Sequence, residues 1–238
     1  YLHGVAEAER YAPDPAFRAR QAPHVAGALA KFEALRATRL DAAFDTDGLR
    51  ARRGLLPESM SHEGYMAQPV HAYWDDFWAL RGLHDAAWLA ASGGDAREAA
   101  RRDALTRAFA ADLHTSLDLT MAQHGIDFLP GSVELGDFDA TALAVALSVA
   151  DDGHALPRAA LDATFDRYLA IRAERARSDT WSNYSAYEIR IVGALVRLGR
   201  RNHALALLEA LLADCRPREW RQWPEQSWRE PDAPAFLG

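Results

Sequence analysis

The amino-acid sequence predicts an all-α protein. Three observations carry that prediction: apolar residues recur at spacings of three and four, strict alternation is hard to find, and helix-stop and helix-start residues punctuate the chain at helix-length intervals. Residues 1–23 read as only weakly helical, and a first clear helix is expected over about 24–43. The next is expected over 71–91, where Gly93-Gly94 followed by Asp95 looks like a helix end and a new N-cap. Leu105, Phe109, Leu113 and Leu117 then form one stripe of a helix over 95–123, and a short helix is expected over 139–150. Pro157 suits the first turn of a helix over 157–177, whose stripe is Leu161, Phe165, Tyr168 and Leu169. Ile189, Val192, Leu195 and Val196 mark a helix over 183–199, and Leu205, Leu208, Leu211 and Leu212 mark the last, over 202–214.

Short links between these elements make neighbours antiparallel, so the building unit is a helical hairpin. Two connections are long, residues 44–70 and 124–138, and the tail from Arg216 to Gly238 resembles them in its Gly, Pro and acidic content. Long loops in a helical domain more often carry function than structure. No repeat of fixed period is visible, and the reading is a single domain over 1–238.

Composition excludes several classes of function. At 238 residues and 49% hydrophobic the chain can bury a large core. Its net charge of −7 argues against nucleic acid as a partner, because phosphate-backbone binders need a basic face. With Cys215 the sole cysteine, neither an intrachain disulfide nor a cysteine zinc cluster can form. No apolar run approaches a membrane span, so no membrane partner is expected and the chain reads as soluble, with cytoplasm and secretion both open. Histidine spacing shows no metal motif, and no phosphate loop or nucleophile elbow occurs, so neither metal nor cofactor is expected.

The stretch "HAYWDDFWALRG", residues 71–82, sets Asp75 and Asp76 among Tyr73, Trp74, Phe77 and Trp78 at the expected start of a helix. Acids there complement the helix dipole, which accounts for the carboxylates but not for the rings. Sugars account for both, since pyranose C–H faces pack on aromatic rings while carboxylates accept bonds from neighbouring hydroxyls. The mixture recurs at "TWSNYSAYE", with Trp181, Tyr184, Tyr187 and Glu188, and at "EWRQWPEQSW", with Trp220, Trp223, Glu225 and Trp228. Three such clusters point to a carbohydrate cleft.

"YWDDFWALRGL" resembles the tryptophan–aspartate signature of α,α-trehalases, and "GLLPES" resembles a segment of glycogen-debranching and related α-glucosidases. "TWSNYSAYEIRIVGALVRLG" is similar to an inner helix of the same enzymes, and the order of the three along the chain is their most specific feature. The resemblance is to the six-hairpin, or (α/α)6-toroid, glycosidase superfamily. It implies an inverting glycoside hydrolase acting on an α-linked glucoside or related oligosaccharide, with a non-catalytic carbohydrate-binding or scaffolding toroid as the alternative.

Inversion needs a protonated acid and an ionised base about 6.5–9.5 Å apart. By resemblance "VELGDFDAT" aligns Asp137 with the acid, with Asp139 as the other claimant, and "QWPEQSWREP" aligns Glu225 with the base, with Glu188 as the other. Tyr73, Trp74, Asp75, Asp76, Trp181, Tyr184, Glu188 and Trp223 are the expected substrate-binding residues, and His71 and His84 are expected to hydrogen-bond in the cleft. A six-hairpin ring takes twelve helices and well over about 300 residues. The chain is therefore expected to be a portion of the ring, covered by further segments of the same polypeptide or by a second copy.

Overall fold

A computed structural model describes residues 1–61, 65–181, 183–215 and 222–228. The described residues are predominantly helical, with eight α-helices and one two-stranded antiparallel sheet, so the protein is all-α. None of the described helices is long and apolar enough to cross a membrane. Where the sequence reading has one domain, the chain divides into two compact units, Tyr1–Asp137 and Phe138–Gly238.

The first unit holds α1 (Leu2–Tyr11), α2 (Pro15–Ala37), α3 (Tyr73–Ser92) and α4 (Ala96–His124). Residues 1–23, expected to be weakly helical, contain all of α1 and the start of α2. Asp14 caps α2 by accepting from the Ala16 amide at 2.8 Å, and Pro15 needs no amide bond in the first turn. The helix runs on through Pro23, which forgoes one ladder bond without stopping it. It ends at Ala37 rather than 43, and Ala42–Asp45 form a separate 3-10 turn capped by Asp41. Glu9, 1% exposed, joins α1 to α2 by accepting from Arg18 Nε at 2.8 Å and Nη2 at 2.6 Å.

The hairpin α3–α4 follows the sequence reading closely. Asp95 accepts from the Glu98 amide at 2.9 Å, and Gly125, at a left-handed φ of 62°, ends α4. Tyr73, Phe77, Leu80 and Leu83 of α3 pack in a core with Phe109, Leu113 and Leu117 of α4. Phe32 meets Phe109 edge-on, with ring centroids 5.0 Å apart.

The second unit holds α5 (Ala140–Ser148), α6 (Arg158–Arg177), α7 (Ile189–Arg197) and α8 (Arg201–Ala213). The helix expected to start at 183 starts at 189. Asn183–Ser185 form β1, paired antiparallel with β2 (Gln226–Trp228), and Ala186–Glu188 form a 3-10 turn. Ser185 accepts from the Tyr187 amide at 3.1 Å, which ends the strand and opens the turn. The apolar faces also differ from the expected stripes. On α7 the buried residues are Ile191, Ala194 and Leu195, and on α8 they are Ala204, Leu207 and Leu211. Val196, Leu205 and Leu212 are instead more than half exposed, because packing of α7 against α5 and α8 sets which face turns inward.

Candidate functional site

The head of α3 is built without a side-chain cap. Its first amide, Tyr73 N, donates to the Gly131 carbonyl at 3.0 Å, and the leader Val70–Ala72 bridges Ser59 on one side and Ser132 on the other. Both long loops of the first unit are thereby brought to one place. The acids in the first turn are free for other bonds, while their charge complements the helix dipole.

Asp75 is partly open to solvent and accepts from Ser59 Oγ at 2.7 Å and Ser61 Oγ at 3.0 Å. The Ser61 amide in turn donates to Ser59 Oγ at 3.0 Å, in a turn where Ser61 takes a positive φ of 36°. Asp76 points the other way. It is 1% exposed and accepts from the Leu56 amide at 3.0 Å.

Burial raises the Asp76 carboxyl well above the ordinary aspartate value of 3.8, the Leu56 amide opposes that shift, and the neighbouring Asp75 charge adds to it. A folded-state value above the unfolded one means that the native protein binds more protons, so stability falls as pH rises above 3.8 through that interval. Asp76→Asn should therefore match or exceed the parent in melting temperature at pH 7 and lose that advantage near pH 4. A variant that melts far below the parent at pH 7 would show an ionised Asp76 with a partner.

Asp137 lies in the loop after α4, where it is partly open and accepts from Ser132 Oγ at 2.6 Å and Tyr65 Oη at 2.8 Å. Both donors are buried. Gly131 N donates to the Asp137 carbonyl at 2.8 Å, closing the loop on itself. Gly136 makes that closure possible. Its φ is +56°, and a Cβ there would lie 2.4 Å from the His124 ring. Asp139, the other claimant for the acid, is the N-cap of α5, accepting from the Ala142 amide at 2.9 Å and Thr141 Oγ1 at 2.7 Å.

Beside Asp137 is a charged cluster of which the sequence reading names only His71. His71, 4% exposed, places Nδ1 2.8 Å from Glu134 Oε1, and its own amide donates to Glu134 Oε2 at 2.8 Å. Arg52 Nε reaches Glu134 Oε1 at 3.0 Å. On the far side Nε2 of His71 lies 3.2 Å from Arg39 Nε and 3.5 Å from Glu58 Oε2, and Arg39 pairs with Glu58. Burial would raise the Glu134 carboxyl, but the His71 side chain, amide and charge outweigh it and hold it at about 2. That stability is fully present above 4.5 and is lost as pH falls toward 2. Glu134 stands three residues before Asp137 in "VELGD", the one signal in the sequence that could have drawn attention to it.

Several expected substrate-binding residues have other work. Tyr73 is fully buried, its hydroxyl 2.8 Å from both Ser116 Oγ and Thr120 Oγ1, so it offers no face to a ligand. Trp74 is partly open and meets Trp78, one turn on, at a 70° interplanar angle. His84 is exposed on the outer side of α3.

In the second unit Glu188 is 5% exposed and bound by Arg175 Nη1 at 3.0 Å, Arg175 Nη2 at 2.8 Å and Tyr168 Oη at 2.6 Å. This is a forked ion pair in the core, which takes Glu188 out of contention as base or ligand contact. Tyr184 is also buried. Its hydroxyl donates to Asp214 and its ring lies 4.4 Å from the Arg175 guanidinium. Trp181 packs at 5.9 Å from that ring, and Trp223 donates from Nε1 to the Leu211 carbonyl at 2.6 Å. Trp181, Trp223 and Glu225 are partly open, and the Glu225 carbonyl accepts from the Ala186 amide beside the strand pair. Trp220 lies outside the described residues.

One group has the composition of a metal site: His3, Glu7 and Asp85 offer donor atoms within 4.8 Å of one another. Arg10 and Arg81 already occupy it. Asp85 accepts from Arg10 Nη2 at 2.6 Å and Arg81 Nε at 2.8 Å, and Glu7 from Arg10 Nη1 at 2.5 Å. Two cations held among the donors make an α1–α3 ion-pair network rather than a metal site.

No protein-family model, curated protein or solved structure matches the chain.

Proposed function

We propose that the chain is carbohydrate-directed, an inverting glycoside hydrolase of the six-hairpin toroid type with Asp137 as its proton donor and Asp75 with Trp74 as a sugar subsite. One observation carries this reading: two partly open carboxylates, Asp75 and Asp137, are held by hydroxyl groups of the loops that meet at the head of α3, whose first turns also carry the Trp74–Trp78 pair. Hydroxyl-braced carboxylates next to indole rings are the chemistry that a pyranose needs, with bonds to its hydroxyls at the edge and packing on its face. The helical hairpins support the toroid reading.

In the proposed reaction the Asp137 proton passes to the glycosidic oxygen as the bond from that oxygen to the anomeric carbon breaks. Water forms the new bond on the opposite face and gives its proton to a second carboxylate. Proton NMR of the first-formed sugar from trehalose and malto-oligosaccharides tests this. A β-anomer from an α-linked substrate is expected, and a retained α-anomer would overturn the mechanism.

Asp75→Asn checks the subsite. Loss of a charged hydrogen bond to a ligand costs about 1.5–3 kcal/mol, so affinity or kcat/KM should fall roughly 10- to 150-fold. Because the carboxamide keeps an acceptor for Ser59 or Ser61, melting temperature should change little, by the roughly 1 kcal/mol of one lost hydrogen bond. Equal loss of stability with sugar binding intact would reduce Asp75 to a structural acid.

A second reading, a sugar-binding domain without turnover, is favoured by one observation: both Asp137 oxygens already accept hydroxyl bonds, from Tyr65 and Ser132. Calorimetric binding of an oligosaccharide with no product in the same NMR panel would establish it.

A further inference from the structure

We infer that Glu134 and His71 are positioning residues for Asp137, a two-residue clamp that sets where its carboxylate stands relative to the head of α3. The inference deepens the carbohydrate reading and rests on it.

Glu134 grips residue 71 twice. One oxygen accepts the His71 amide and the other meets Nδ1, each at 2.8 Å. The neighbouring Val133 amide donates to the His71 carbonyl at 3.1 Å, and Ala72 bridges Ser132. Residues 71–73 and 131–133 thus make a short ladder that the Glu134 side chain locks from the outside.

Asp137 depends on that ladder from both directions. Ser132, a rung of it, donates to Asp137 Oδ1 at 2.6 Å, and Gly131, whose carbonyl receives the first amide of α3, donates to the Asp137 carbonyl. Two residues separate the two acids, and the turn at the second of them, Gly136, is held by its amide bond to the Ser132 carbonyl at 3.2 Å. A shift at Glu134 therefore moves the acid and its hydroxyl donor together.

The clamp is itself held from behind. Arg52 reaches Glu134, while Arg39 and Glu58 meet the other face of the imidazole. Glu58 precedes Ser59, which holds Asp75, so the same cluster braces both carboxylates of the site. Both ring nitrogens of His71 are thereby engaged, Nδ1 by Glu134 and Nε2 by Arg39.

Three variants test the assignment: Glu134→Gln, His71→Ala and His71→Asn, the last because the asparagine amide can stand where Nδ1 stood. Hydrogen exchange of the whole chain reads the loop, calorimetry with 1-deoxynojirimycin reads the site, and kcat and KM on the best α-glucoside read the acid. Glu134→Gln and His71→Ala should speed exchange at residues 131–137 at least tenfold and leave the α3–α4 core amides unchanged. With them kcat should fall at least tenfold with KM within about twofold, and His71→Asn should restore most of both. Slow exchange in Glu134→Gln and His71→Ala overturns the clamp, and fast exchange with parental kcat and iminosugar affinity overturns the positioning role. Should Glu134→Gln fail to fold, the His71 pair decides by the presence or absence of rescue. A parent chain that neither binds nor cleaves a sugar is a separate result, seen before any variant is made, and it removes the carbohydrate reading together with this one.

Discussion

Arg175→Ala should destabilise the second unit by about 3–5 kcal/mol, the cost of leaving a buried carboxylate without its ion-pair partner. Glu188 is nearly closed to solvent, and Arg175 supplies two of the three bonds that it receives. Among the described residues Tyr168 would remain as its one donor. The same guanidinium covers the Tyr184 ring at 4.4 Å, so truncation also strips the packing from that side chain. Urea denaturation followed by tryptophan fluorescence would measure the loss, through Trp181 beside Tyr184. Arg175→Met with Glu188→Leu should recover much of it, because an apolar pair of similar volume avoids desolvating either charge. If Arg175→Ala unfolds at the parental midpoint, Glu188 has reached solvent, and its place among the candidate sugar contacts is open again.

Asp137→Asn should lower kcat by 10²- to 10⁴-fold, the range that a positioned general acid supplies. The carboxamide keeps an acceptor for Ser132 or Tyr65, so the expected cost in stability is small, about 1 kcal/mol for one lost hydrogen bond. The leaving group discriminates further. An α-glucosyl fluoride needs little protonation to depart, so the variant should lose much less activity on it than on trehalose. Equal losses on both would mean that Asp137 binds or braces rather than donates a proton. Parental activity on both would remove it from the reaction.

Most helices were legible because their ends carry explicit chemistry. Asp95 and Gly125 bound α4 as their residue types require, and Pro157 precedes α6. The N-terminal helices were harder, since Pro23 reads as a stop and is carried inside α2. The start of α7 was misread for a different reason. "NYSAYE" has the apolar spacing of a helix, yet its first three residues pair with Gln226–Trp228, a partner some forty positions away that no local pattern reveals.

At the candidate site the sequence alone determined the inventory: carboxylates beside aromatic rings at a helix head, in an acidic chain with one cysteine. What each carboxylate does was decided by tertiary structure. Asp75 and Asp76 are adjacent in sequence and identical in type, but successive residues on a helix point about 100° apart. One therefore meets Ser59 and Ser61 at the surface and the other meets the Leu56 amide in the core. Glu188 and Glu225 are alike in type and setting along the sequence, but Arg175, thirteen residues before Glu188, fills both of its oxygens. Glu134 has no role legible in the sequence because its partner, His71, lies 63 positions away in the chain. Residue type and spacing specify which groups can ionise and which faces can bury. Which charges find a partner, and so stay available for a ligand or do not, depends on loops that meet only when the chain has folded.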